Sequence, residues 1–155
     1  MKLKKVIKDV ILESKDSYNT PAAISAKEKQ KKQKAKPKAE DSIDNLDINT
    51  ANRNRTIKEY SYGPLNPNDN KGSKQFWQDK ADLWNTTIEA AKQSRCSNCG
   101  AFDQKKSTLN KIAKAIGEEG KTIVKNANIG FCEFFWFKCA GARSCDAWVG
   151  GGPIK

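Results

Sequence analysis

The sequence predicts a small, irregular α+β domain, with few short helices and little sheet, behind a disordered basic tail. Three observations lead there. Every Trp, Phe and Cys of the 155-residue chain lies beyond residue 60, so the material able to build a core is confined to the later part. Two stretches of that part carry helical periodicity, while the last 25 residues mix aromatics, cysteines and glycines without a clean period. The charge is uneven: residues 1–40 hold 12 Lys/Arg against 5 Asp/Glu, in a chain of net charge +11. The hydrophobic fraction of 37% is low for a chain folded from end to end.

Residues 1–14 come first. Leu3, Val6, Ile7, Val10 and Ile11 recur at helical spacing and predict a short amphipathic helix. A helix of three turns is marginal alone in water, so this one is expected to dock, preferably on a partner protein. Residues 15–58 read as a disordered lysine-rich linker, because AKEKQKKQKAKPKAE has almost no large apolar side chain to offset chain entropy. The aliphatics of DSIDNLDINTANRNR follow no period. The cysteine and aromatic domain is then expected over residues 59–150, with a flexible end at 151–155.

Within that domain, YSYGPLNPNDNKGS is turn chemistry. Ser73 is placed to cap a helix in which Phe76, Trp77, Ala81, Trp84, Ile88 and Ala91 form one apolar stripe. A second helix is expected over residues 107–116, with Leu109, Ile112, Ala113 and Ile116 inward and Gly117 as its stop. A short strand is expected at 122–124, where Thr, Ile and Val follow one another.

The thiols carry the chemistry. Their spacing is Cys96-x2-Cys99-x32-Cys132-x6-Cys139-x5-Cys145. Four thiolates can hold tetrahedral zinc or an iron–sulfur cluster. In the zinc reading Cys96 and Cys99 form one knuckle, but the remaining spacings of six and five are unusual for a second. In the iron–sulfur reading, Phe102, Phe131, Phe134, Phe135, Trp136, Phe137 and Trp148 supply walls that exclude water from a bulky, sensitive cluster. In the third reading all five are buried free thiols that behave as small hydrophobes.

RCSNCGAF, followed by CEFFWF…ARSCDAW, resembles the ligand motifs of high-potential iron–sulfur proteins. There a Cys-x-Asn-Cys precedes an aromatic, a later cysteine is followed closely by Phe, and a last cysteine has Trp three positions on. The resemblance covers residues 60–150. It implies that Cys96, Cys99, Cys132 and Cys145 are the ligands of one [4Fe–4S] cluster, shielded by Phe102, Phe134, Phe135 and Trp148, with Cys139 a buried bystander. The loop between Cys99 and Cys132 is longer than in that family, and Trp136, Phe137 and Lys138 stand where the family carries Pro-Gly-Lys. The YGPLNP…FW…KA..W…RC.NC pattern is also similar to iron–sulfur domains of small proteins carried by tailed phages of marine cyanobacteria. That similarity implies a virion-associated protein, and Ile11-Leu12-Glu13 resembles a prohead-protease cleavage site.

No enzyme is expected. There is no histidine for a general acid–base pair, and neither GEEG nor GGGP has the ending of a phosphate-binding loop. The expected function is a cluster-binding module, structural or one-electron redox, tethered through residues 2–13 to a larger assembly such as phage structural proteins. The alternative is a zinc-stabilised nucleic-acid binder that uses Lys27, Lys29, Lys31, Lys32, Lys34, Lys36 and Lys38 against phosphates. No secretory signal or membrane span is evident, which predicts an intracellular or virion location.

Overall fold

The computed structural model describes residues 41–155. Helix α1 (Asp41–Asp44) and helix α2 (Leu46–Tyr60) open it. After a loop come α3 (Lys74–Trp84) and α4 (Ile88–Gln93), then a single 3-10 turn, Cys96–Asn98. Strand β1 (Phe102–Asp103), α5 (Lys106–Ile116), α6 (Gly120–Asn126), β2 (Ile129–Cys132) and β3 (Phe137–Ala140) complete the order. The strands form one antiparallel sheet, β1-β2-β3, with Phe102 opposite Cys132 and Cys132 opposite Phe137. The fold is thus small and α+β. No helix among the described residues is long and apolar enough to cross a membrane.

Helix α2 overturns the linker expected through residue 58. It lacks an apolar stripe: Leu46 and Ile57 are exposed, and the side chains it buries are Asn49, Thr56 and Tyr60. Asn45 caps it, accepting from the N–H groups of Asp47 and Ile48 at 3.1 Å. Polar contacts then dock it. Lys138 N–H donates to Asn49 Oδ1 at 2.7 Å, and Asn52 Nδ2 donates to the Trp136 carbonyl at 2.8 Å. β3 is an edge strand, so its outward N–H groups need partners. Asn49 takes one and the Tyr62 hydroxyl takes that of Ala140 at 2.9 Å. Residues 1–40, including the amphipathic stripe and the lysine run, lie outside the described residues.

The long helical stripe is broken in two. Asn85 adopts the left-handed region (φ 51°) and its N–H closes on Ala81 and Asp82, ending α3. Thr87 then caps α4 through the N–H of Ala90. The six stripe residues still pack into one cluster around Trp77, Ala81 and Ala91. Ser73 precedes α3 but does not cap it; its hydroxyl donates to the Asp69 carbonyl at 2.5 Å.

Helix α5 begins one residue ahead of its expected start and stops at Gly117 as expected. Asp103 sets its start, accepting from the Lys105 N–H at 2.8 Å and the Thr108 hydroxyl at 2.9 Å. Ile112 and Ala113 are buried, Leu109 is half-buried, and Ile116 is exposed instead of inward. The strand expected at 122–124 is helix α6. Gly120 lies so close to the Ala113 carbonyl oxygen that any Cβ would collide, and Val124, one turn on, enters the core beside Ile112.

The C-terminus is pinned, contrary to the flexible end expected at 151–155. Ile154 forms a parallel bridge to Asp103: its N–H donates to the Phe102 carbonyl and its carbonyl accepts from Gln104 N–H, both at 2.8 Å. Ile154 thereby covers the β1 edge.

Candidate functional site

All five cysteines converge on one cavity. Its atom-free space is about 300 Å³, part of it open to solvent. Phe102, Phe134 and Trp148 form its walls, with Ala101 and Ala147 between them. No polar surface lines it, so water would find no partners there. Cys96, Cys99 and Cys139 are buried; Cys132, Cys145, Phe134 and Trp148 are half-buried and mark the side nearest solvent.

The backbone fixes each thiol separately. Cys96 opens the 3-10 turn, and its N–H donates to the Arg143 carbonyl at 2.7 Å. Cys99 closes that turn on the Cys96 carbonyl at 3.0 Å. Cys132 ends β2 and Cys139 lies on β3. The segment carrying Cys145 is held against residues 60–63: Gly63 and Ser144 exchange hydrogen bonds at 2.9 and 2.6 Å, and Asp146 N–H donates to the Tyr60 carbonyl at 2.8 Å.

The two motif halves also touch. The Trp148 indole N–H donates to Asn98 Oδ1 at 3.1 Å and to the Arg95 carbonyl at 3.0 Å. Asn98 Oδ1 also accepts from Arg95 N–H at 3.0 Å. The Asn within Cys-x2-Cys and the Trp three places after Cys145 therefore hold one another. Of the four expected shielding residues, Phe102, Phe134 and Trp148 line the cavity. Phe135 is placed behind the lining, buried with its ring 4.5 Å from Tyr60.

Backbone N–H groups point at the sulfurs. Ala101 N–H donates to Cys99 Sγ at 3.5 Å, and Val149 supplies a second donor. Phe135 serves Cys132 and Ala147 serves Cys145 in the same way. Burial nevertheless dominates for Cys99, Cys132, Cys139 and Cys145, raising Cys99 and Cys139 to about 11 and the other two well above the ordinary thiol range. Cys96 is raised first by its hydrogen bond with Cys139 and then by burial. At neutral pH these are protonated thiols, poor as nucleophiles, and a metal would have to displace their protons.

Among the described residues no three His, Cys, Asp or Glu side chains form a group placed to hold one metal ion. The five thiols instead surround a space.

Two features were not read from the sequence. Cys139, expected as a buried bystander, is buried and also lines the cavity with the other four. Lys80 is 1% exposed, with Nζ 2.5 Å from Asp146 Oδ1, 3.3 Å from the Ser61 carbonyl and 4.3 Å from the Phe76 ring centroid. That buried cation, beside the residue after Cys145, lies on the Phe76–Trp84 stripe at spacings of four, which was a legible sign of burial. The seven lysines assigned to nucleic acid lie outside the described residues.

No protein-family model, no curated protein and no solved structure matches this chain.

Proposed function

We propose that this chain is an iron–sulfur cluster-binding module of the high-potential type, in which Cys96, Cys99, Cys132 and Cys145 hold one [4Fe–4S] cluster. The observation that carries the reading is the convergence of cysteines from a 3-10 turn, a strand end and a C-terminal loop on one apolar cavity. Such a cluster, when bound, exchanges single electrons and cross-links the segments that hold it.

The chain's own residues do the rest. The thiols give up protons on binding, and N–H groups of Ala101, Val149, Phe135 and Ala147 stabilise the resulting sulfur charge. Phe102, Phe134 and Trp148 exclude water. Asn98 and Trp148 hold the Cys96–Cys99 turn to the Cys145 loop. The half-buried side, at Phe134 and Trp148, is the natural route for an electron to a partner.

Residues 1–40 would tether the module to a larger assembly, and the phage resemblance makes a virion the first one to test.

The test is chain purified without oxygen, assayed for iron, sulfide and zinc and for visible absorption. Four irons with matching sulfide and a broad brown absorption are expected. One zinc in a colourless protein would overturn the reading. Salt-dependent nucleic-acid binding through the lysine run would then become the question.

A further inference from the structure

We infer that the pocket between α5, α6 and the start of β2 is a binding site for a small organic anion, a molecule with an apolar body and one negatively charged end. The site shares no lining residue with the thiol cavity and does not rest on the iron–sulfur reading.

The pocket has a volume of about 330 Å³, within the usual range of small-molecule sites. Its floor is apolar. Leu109 and Ala113 come from α5, Val124 from α6 and Ile129 from β2, and all four belong to or pack on the helical-side core. Leu109 and Ala113 stand one turn apart, and Lys121, Val124, Lys125 and Asn128 follow at spacings of three, one and three, so each set shares one side of its segment. Gly120 holds α6 against the Ala113 carbonyl. Beyond α6, Asn128 turns the chain in the left-handed region (φ 47°), and its Oδ1 accepts from Gln104 Nε2 at 2.8 Å. That bridge ties the end of α6 to the residue after β1 and fixes part of the rim.

The rim sets the sign of the ligand. Lys121 and Lys125 are the charged residues of the lining, and no Asp or Glu shares it. Neither lysine pairs with a carboxylate among the described residues. Like charges one helical turn apart repel, so an anion held between them relieves that repulsion and also gains charge-assisted contacts. Gln104 and Asn110 add amide groups to the rim. The chain itself is a poor source of the occupant: its first 40 residues carry 12 Lys/Arg against 5 Asp/Glu, and a second copy brings a net charge of +11. Two lysines alone would take any anion and the apolar floor alone any hydrophobe; together they select a molecule that has both parts.

The experiment titrates naphthoate into the full-length chain, purified without oxygen, and reads amide chemical shifts. Shifts are expected at Asn110, Lys121, Lys125 and Asn128, with none in the Cys96–Asn98 turn. Naphthylmethanol has the rings without the charge and acetate the charge without the rings. Each is expected to bind at least about tenfold more weakly than naphthoate. K121E/K125E is expected to lose naphthoate and to gain naphthylmethylamine. Both lysines are exposed, so the fold should persist, and an unchanged Ile112 amide checks it. K71E/K74E makes the same change of charge at exposed positions outside the pocket and should bind naphthoate as the wild type does. Should K121E/K125E fail to fold, K121A/K125A is expected to weaken naphthoate about tenfold. Absence of shifts in the pocket at millimolar naphthoate would overturn the inference. Equal binding of naphthylmethanol would overturn it too, as would equal weakening by K71E/K74E, which would trace the effect to overall charge. Metal content enters none of these outcomes, so zinc or no metal in the wild type would sink the cluster reading and leave this one standing.

Discussion

The two faces of the small sheet enclose different interiors. On one, Phe131 packs with Ile43, Ile112, Ala113 and Val124 from the flanking helices. On the other, Phe102, Phe137 and Cys139 belong to the cluster that includes the remaining thiols. Alternation along β2 separates them, since Phe131 faces one way and Cys132 the other. Both interiors are well buried. On the helical face Ile112 is wholly inaccessible among hydrocarbon side chains. On the thiol face five sulfurs and aromatic rings line one space. A face filled by side chains supports itself through burial alone, whereas a ring of thiols gains most from something placed within it.

The largest effect should therefore come from the thiol face. Cys145→Ala is expected to lose iron and sulfide, and with them a contribution on the order of 10 kcal/mol, the scale of structural metal–thiolate sites. Iron content and thermal unfolding of the anaerobic protein check this. Chelation of the wild type should give a similar melting loss. If C145A unfolds like the wild type with its group intact, the two faces do not differ as described.

The buried ion pair comes next. Lys80→Met takes the buried cation away from Asp146, and breaking a buried pair costs about 3–5 kcal/mol. Replacing both partners, as Lys80→Met with Asp146→Leu, should recover most of that loss. Denaturant unfolding of the single and double variants measures the difference. Equal destabilisation by both would show that the charges are not what holds the Cys145 loop to α3.

On the helical face, Ile112→Ala should cost about 3 kcal/mol through lost burial and a partly collapsed cavity. Iron per folded chain should stay at the wild-type level. A drop in iron matching the drop in stability would mean that the two faces act as one unit.

What could be read from the sequence divides along similar lines. Hydrophobic periodicity located the Trp77 cluster and α5, because both bury apolar side chains at helical spacing. That the cysteines come together with Phe102, Phe134 and Trp148 was legible from their crowding into a few stretches of the sequence. Helix α2 was not legible: its inward side chains are Asn49, Asn52 and Thr56, which carry no hydrophobic signal. The break at Asn85 was missed because the stripe continues across it, and α6 because Thr-Ile-Val reads as strand until Gly120 is seen against Ala113. The place of Cys139 depends on strand pairing, which spacing does not report.

The smallest effects belong to α2, which spans the edge where the two faces meet. Asn45→Ala removes only its N-cap and should cost about 1 kcal/mol. Asn49→Ala should cost more, about 1–3 kcal/mol, because it leaves the Lys138 N–H of an edge strand without its protein acceptor. Amide exchange separates the two. In N49A the Lys138 amide should exchange faster than in the wild type, measured beside an unchanged Ile112 amide. In N45A acceleration should be confined to the first turn of α2. Protection of Lys138 that survives N49A would mean that packing, not this hydrogen bond, covers β3. The edge would then belong to the helical face, and the sheet would present its thiol face alone to whatever the cavity binds.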